Sequence, residues 1–195
     1  MLNSELFISI TGRRYVYSIM PVANISSVVE KGILSYNEAE RIDHISIADS
    51  EVQKRRKNLH NLVNLYFDFR NPMFYRICKS SQEPICVLVV SCQVLDIPNC
   101  IVSDMNAAKE LARLDSPETG LMLIDFAAVY SKNWNDEDRY VKSRKSGIKC
   151  AEILLPGRVD YNYIAGAIVK TKDDEIVLKE KGFAKRIRVD SDVFY

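Results

Sequence analysis

Residues 15–32 read YVYSIMPVANISSVVEKG. The opening five, Tyr15, Val16, Tyr17, Ser18 and Ile19, alternate in character and are rich in β-formers, which is the pattern of a strand. Over residues 23–31, Ile25, Val28 and Val29 recur at helical spacing, and Gly32 is the residue type that ends a helix. The stretch therefore predicts a strand followed at once by a short helix. Working outward, residues 63–67, 85–90, 100–103, 151–155, 165–169 and 186–189 are short apolar runs that predict further strands, while residues 107–114 and 121–134 carry helical periodicity. Strands and helices are interspersed without a regular β-α-β rhythm, so the class is α+β. Residues 35–59 are mostly polar and lack periodicity. A loop of that length inside a compact domain is usually functional or disordered, and Ile45 and Ile47 suggest partial anchoring.

A chain of 195 residues, 47% hydrophobic with 7 Gly and 6 Pro, can bury one core, which predicts a single domain over residues 1–195. The longest apolar stretches, residues 85–90 and 120–130, are too short to span a bilayer, and no charged-then-apolar leader opens the sequence. The expectation is a soluble, cytoplasmic protein with no membrane partner. Five cysteines, Cys78, Cys86, Cys92, Cys100 and Cys150, form an odd set without a C-x-x-C pair. Most sit in apolar runs, so neither a disulfide framework nor a metal site is expected. The sequence has no G-x-x-x-x-G-K-[ST] loop and no G-x-G-x-x-G after a strand, which argues against an ordinary kinase or dehydrogenase. A histidine-based hydrolase would have to use His44 or His60. His44 reads as a loop residue, and His60, beside Leu59 just before a strand, as a packing residue.

The net charge of +1 averages over uneven segments. Arg139, Lys142, Arg144, Lys145 and Lys149 form a run without an acid, and Lys54, Arg55, Arg56 and Lys57 form a second cluster. Such clusters neutralise phosphates in a salt-sensitive way, although either alone is equally a solvated face. Glu152 is the odd carboxylate in Cys150-Ala151-Glu152-Ile153-Leu154-Leu155. A Glu inside an apolar strand is rarely buried without a partner, so it is either a salt-bridged strand residue or a functional group.

Several segments carry, in order, a resemblance over nearly the whole chain. They are YSIMPVANISSVVEKGIL from Tyr17 to Leu34, Ile47-Ala48 through Gln53-Lys54-Arg55-Arg56, and LHNLVNLYF from Leu59 to Phe67. NPMFYRI from Asn71 to Ile77, SDMNAA from Ser103 to Ala108, and AEILLP from Ala151 to Pro156 complete the series. Together they resemble the DarT family, toxins that ADP-ribosylate DNA bases. The resemblance implies an ADP-ribosyltransferase-like fold: a split mixed β-sheet with flanking helices and a central cleft that holds NAD as substrate, without a metal. It also implies single-stranded DNA as the target and a cognate antitoxin as partner. Glu152 matches the family's catalytic glutamate, placed to stabilise the positive charge that develops on the ribose as its bond to nicotinamide breaks. Arg56 matches a position close to NAD and the target base, where planar donors suit a phosphate or a carbonyl. Tyr66 and Met73 match the nicotinamide side, and Asn24, Gly32 and Leu34 match the pocket entrance. Core packing is the competing reading for Tyr66 and Met73, and helix-end roles are the competing reading for Asn24 and Gly32. Residues Arg139, Lys142, Arg144, Lys145 and Lys149 fall in the family's substrate-recognition loop, where cations suit backbone phosphates.

The chain departs from the pattern in two places. The family's first motif reads Tyr-His-x-Thr, whereas Tyr17 is followed here by Ser18 and Met20. Ser18 and Met20 thus take NAD-pocket positions, with the Ser18 hydroxyl substituting for imidazole, or the pocket weaker and altered, or inactive. The family's arginine before the glutamate falls near Ser146, with Arg144 and Lys145 adjacent. Transfer to RNA and a catalytically inactive nucleic-acid-binding homologue are the alternatives to DNA modification; a structural or protein-interaction domain is the weakest.

Overall fold

The computed structural model describes residues 1–42, 44–46 and 57–195. Helix α1 (Asn3–Thr11) precedes the strand read from the opening stretch, β1 (Tyr15–Pro21), and the helix read after it, α2 (Ile25–Lys31). Then come β2 (Ile33–Leu34), the single turn α3 (Tyr36–Ala39), β3 (Leu62–Tyr66), α4 (Pro72–Ser80) and β4 (Ile85–Ser91). The central part holds β5 (Ile101–Ser103), β6 (Leu114–Asp115), α5 (Pro117–Gly120), α6 (Phe126–Val129) and α7 (Arg139–Lys149). Strands β7 (Glu152–Pro156), β8 (Arg158–Val159) and β9 (Ile164–Val169), helix α8 (Lys172–Glu180) and strand β10 (Arg186–Val189) follow.

Eight strands form one sheet in the order β10-β9-β4-β1-β3-β7-β5-β6, and β2 pairs with β8 in a separate ribbon. The sheet is mixed, because β10 runs parallel to β9 while the other pairs are antiparallel. One apolar cluster takes in Phe7, Val16, Ile25, Leu65, Leu88, Ile153 and Leu155. A second gathers Ile19, Tyr66, Phe69, Phe74, Ile77, Val87 and Ile168. Side chains alternate between faces along a strand, so the neighbours Leu65 and Tyr66 serve different clusters. Each fully buried Leu, Ile, Val or Phe contributes about 1.5–3 kcal/mol, and α4 is held to the sheet by Phe74 and Ile77 on these terms.

The sheet is split at its centre. β1 pairs with β4 along its whole length, from Tyr15↔Ser91 to Pro21↔Ile85. Among the described residues it meets β3 in register only at Tyr17↔Tyr66. β3 is in turn paired with β7 from Leu62↔Pro156 to Tyr66↔Glu152. The two halves of the sheet are therefore joined at one point and part beyond it.

Three expectations need correction. Residues 107–114, expected to be helical, form turns that lead into β6. Asp104 pins this segment, its backbone N–H donating to the Arg113 carbonyl and its Oδ1 accepting from Arg113 N, and these tertiary bonds outweigh helical spacing. Of residues 121–134 only the short α6 is α-helical, capped by Asp125, whose Oδ1 accepts from Ala128 N. Beyond it, Asn133 and Asp136 accept from backbone N–H groups two residues on, the local bonding that competes with a helix. Finally, the basic segment expected as a loop is helix α7, with Asp138 accepting from Tyr140 N and Val141 N at its start. The anchoring read at Ile47 lies outside the described residues.

The five cysteines are free. Burial pushes the thiols of Cys86, Cys100 and Cys150 up to about 12, and a thiol in that range carries almost no reactive thiolate near neutrality. Iodoacetamide at pH 8 is therefore expected to leave these three unmodified in the native protein and to label all five in denaturant. Native labelling at any of the three, read by peptide mass spectrometry, contradicts the packing described.

Candidate active site

A cleft opens where β1 leaves β3. It is lined by Ser18, Ile19, Met20 and Pro21 from one strand and by Leu62, Val63, Asn64 and Tyr66 from the other, and its volume is about 1060 Å³ counting the mouth. Because it passes between strands, it takes side chains from both faces of the sheet. Strands that part also stop satisfying one another's backbone groups along that edge, which leaves N–H and C=O groups for a bound molecule.

The register carries a row of residues across the sheet at the point of parting. Tyr17 faces Tyr66, Tyr66 faces Glu152, and Glu152 faces Ser103. Residues directly opposite in an antiparallel pair share a face, so Glu152 shares one with Tyr66, which lines the cleft, while Glu152 itself is not among the lining residues. Glu152 is 0% exposed. Its Oε1 accepts from Ala107 N at 3.0 Å, so the turn at residues 106–108 orients the carboxylate.

Met73 enters the wall because of a built helix start. Asn71 is fully buried, its Oδ1 accepts from Phe74 N at 2.9 Å, and Pro72 occupies the first turn where its missing N–H costs nothing. The Tyr66 hydroxyl contacts the Met73 sulfur, and both residues line the cleft. The β2–β8 ribbon seats Gly32, Ile33 and Leu34 in the lining. Asn24 sits at the start of α2 but makes no side-chain cap. Its amide pairs instead with the backbone of Ile45, with Nδ2 donating to Ile45 O at 2.8 Å and Oδ1 accepting from Ile45 N at 2.9 Å. This holds His44, Ile45 and Ser46 in the cleft wall.

Ser18, Met20, Asn24, Gly32, Leu34, Tyr66 and Met73, expected from separate parts of the sequence, thus line a single cleft. Arg56 lies outside the described residues, as do Lys54 and Arg55. His44 and His60, read from sequence as loop and packing residues, line the same cleft. The packing half of that reading fits His60, whose ring lies 4.4 Å from that of Tyr36. Tyr36 was not singled out, and a polar segment without periodicity offers little signal for it. Among the described residues, no group of three or more His, Cys, Asp or Glu is placed to hold a metal ion, and no helix is long and apolar enough to cross a membrane.

Helix α7 exposes Arg139, Lys142 and Arg144. Lys145 is half-exposed and bonds Asp136 at 2.7 Å. Lys149, expected to contact nucleic acid, is corrected: it is 2% exposed, and its ammonium is bonded to Asp68, Val129 O and Ser131 O. The last turn of α7 points it into the core, where no phosphate reaches it. Tyr140, 88% exposed between the cations, was missed in sequence because one aromatic in a charged run has no periodicity to mark it.

Residues 17–195 match the family model described as ssDNA thymidine ADP-ribosyltransferase, DarT. A DNA ADP-ribosyl transferase-DNA ADP-ribosyl glycohydrolase fusion protein of Thermosipho africanus (strain H17ap60334) is 29% identical over 180 residues, which are 86% of this chain and 45% of that protein. The chain thus spans about half the length of that relative. Thermus sp. 2.9 DarT in complex with ADP-ribosylated ssDNA has a TM-score of 0.80 at 25% identity, covering 93% of this chain and 96% of that one. Thermosipho africanus DarTG in complex with ADP-ribose has a TM-score of 0.78 at 27% identity, covering 94% and 51%.

The entrance geometry gives a direct test. Gly32 has φ +83°, and a Cβ there would collide with the Val159 carbonyl oxygen. Gly12 has φ +68° with nothing near its added Cβ. Gly12→Ala is expected to cost about 1 kcal/mol for the left-handed backbone alone, whereas Gly32→Ala also pushes β8 away and is expected to cost about 3 kcal/mol or more. Thermal melts of the two variants compare them, and equal losses would mean that the ribbon is not held as described.

Proposed function

The chain belongs to the DarT family, and from that premise we propose that it is an NAD-dependent ADP-ribosyltransferase that moves ADP-ribose from NAD to a base of single-stranded DNA. The observation that carries this reading is the convergence of seven family-matched positions on one cleft, with Glu152 in register opposite the lining residue Tyr66. The family description supports thymidine as the acceptor.

The cleft's chemistry fits a dinucleotide substrate. Tyr66 and Met73 offer an aromatic face and a polarizable sulfur to the flat nicotinamide. The parted strand edges and the Gly32–Leu34 entrance offer backbone donors and acceptors to the amide and ribose. As the bond from ribose C1′ to nicotinamide nitrogen breaks, nicotinamide leaves with the bonding pair, and the buried Glu152 carboxylate stabilises the positive charge growing on the sugar. The base nitrogen or oxygen then bonds to C1′ and releases its proton, which Glu152 helps to remove. Arg56 is assigned to the phosphate or the acceptor carbonyl. Where the family motif has histidine, Ser18 supplies a hydroxyl, and His44 and His60 bring imidazole to the same wall.

Chemistry on a base requires an unstacked nucleotide, and a single strand supplies one at least cost. Arg139, Lys142, Arg144 and Lys145 on α7 would hold its phosphates. The relative that fuses a DNA ADP-ribosyl transferase to a DNA ADP-ribosyl glycohydrolase supports a toxin function opposed by a cognate antitoxin. Transfer to RNA is the alternative that the same cations permit, and an inactive binding homologue is the alternative that Ser18 permits.

The test incubates the protein and NAD with matched single-stranded DNA and RNA oligomers and reads the products by mass spectrometry, beside Glu152→Ala. One ADP-ribose is expected on thymine-containing DNA, with the rate about 10²–10³ lower in the variant. Binding without adduct or free nicotinamide would leave the inactive homologue, and adducts on RNA alone would replace DNA as the target. For the helix, Arg139→Ala, Lys142→Ala and Arg144→Ala combined are expected to reduce the slope of log affinity against log salt by about 2, roughly 0.7 for each phosphate no longer neutralised. An unchanged slope removes α7 from the interface.

A further inference from the structure

Lys149 Nζ donates to Val129 O at 2.7 Å, to Ser131 O at 2.7 Å and to Asp68 Oδ2 at 3.1 Å. Three acceptors match the three N–H bonds of an ammonium. The lysine is buried, and its partner carboxylate is 16% exposed.

Asp68 stands just after β3, at the start of the turn that leads into α4. Its backbone carbonyl accepts from Asn71 Nδ2 at 2.9 Å, and its Oδ1 accepts from Arg70 N at 3.2 Å. Asn71 in turn caps α4, which carries Met73 into the cleft wall against Tyr66. A second contact runs beside the first, because Cys150 is buried in the apolar cluster against which Met73 packs. Lys149 thus bonds the start of the segment between Asp68 and Met73, and Cys150 shares an apolar cluster with its end. Two residues further on, Glu152 stands opposite Tyr66.

We propose that Lys149, through its ion pair with Asp68, is a positioning residue that fixes the Tyr66–Met73 wall of the cleft relative to the Glu152 carboxylate. It touches no substrate and no phosphate. The inference rests on the reading of the cleft as the NAD site. A displacement of about 1 Å between reacting groups costs up to 10²-fold in rate, so a brace between cleft wall and carboxylate acts mainly on the chemical step.

Removing one member of a buried pair strands the other charge, whereas replacing both with neutral residues is tolerated far better. The test therefore uses the double variant Lys149→Met with Asp68→Asn, beside Asp68→Glu, which keeps both charges and displaces the carboxylate, as the milder change. Four quantities are read: melting temperature, single-stranded DNA affinity over a range of salt, kcat and KM for NAD, and amide hydrogen exchange at residues 72–75. The double variant is expected to melt near the wild type and to keep its DNA affinity and salt slope. Its kcat is expected to fall about tenfold or more with KM moved less than about twofold, and its amides at 72–75 to exchange about tenfold faster than in the wild type. Asp68→Glu is expected to show the same pattern at smaller size.

Wild-type kcat in the double variant overturns the proposal. So does a salt slope shallower by the share of one phosphate, which would return Lys149 to the DNA interface. Should the wild type make no adduct, the enzymatic reading fails by itself, and amide exchange still decides the brace: unchanged protection at 72–75 overturns it. If the double variant does not fold, Asp68→Glu decides by the same readouts.

Discussion

The arrangement depends on where two strands cease to pair. A central strand ordinarily satisfies its backbone on both sides, yet β1 does so fully only toward β4 and meets β3 in register at Tyr17 and Tyr66. Parting exposes polar backbone within the protein, an arrangement that is stable only when water or a bound molecule takes up those groups. The cleft is therefore a consequence of sheet topology, with side chains refining a site that the backbone creates. The apolar clusters on the two faces hold the halves in place on either side of the opening.

Two buried charges lie close together at the end of α7, and each is held differently. Lys149 spends its ammonium on two carbonyls and a carboxylate, which makes it a structural cation. Glu152 accepts from the Ala107 N–H and faces the ring that lines the cleft. A carboxylate oriented by a backbone N–H beside a pocket is preorganised for developing positive charge, because little has to move when that charge appears. The helix that ends in Lys149 presents its other cations outward, so one continuous segment joins the charged surface, the packed interior and the cleft.

The strands of the sheet were largely legible because each is a short apolar run bounded by polar or turn residues. The site was legible through ordered fragments whose members, from Asn24 to Met73, converge on one pocket. What escaped was decided by tertiary bonds and helix ends. Residues 107–114 have helical spacing, yet Asp104 and Glu152 claim their backbone groups. Helix α4 was missed although Asn71-Pro72 is a start signal, and α8 was missed although Thr171 and Asp174 cap it reciprocally. Lys149 was misread because charge counting along a helix ignores which way each turn faces. Its neighbour Gly147 is buried as well, so the inner side of α7 was present in the sequence as a small residue and an aliphatic stem.

The register between Tyr66 and Glu152 has one more consequence, in the order of synthesis. The pocket wall, the capped α4 and half of the sheet emerge from the ribosome before β7 and before the β8 strand that completes the β2–β8 ribbon. Pairings between distant parts of a chain form slowly, since the loop between them must close before any contact rewards it. A growing polypeptide therefore carries no complete cleft until residues beyond Val159 are available to fold. Assembly of the cleft thus waits for β7 and β8 to be made, and a truncated product that stops before β7 holds the pocket wall without Glu152.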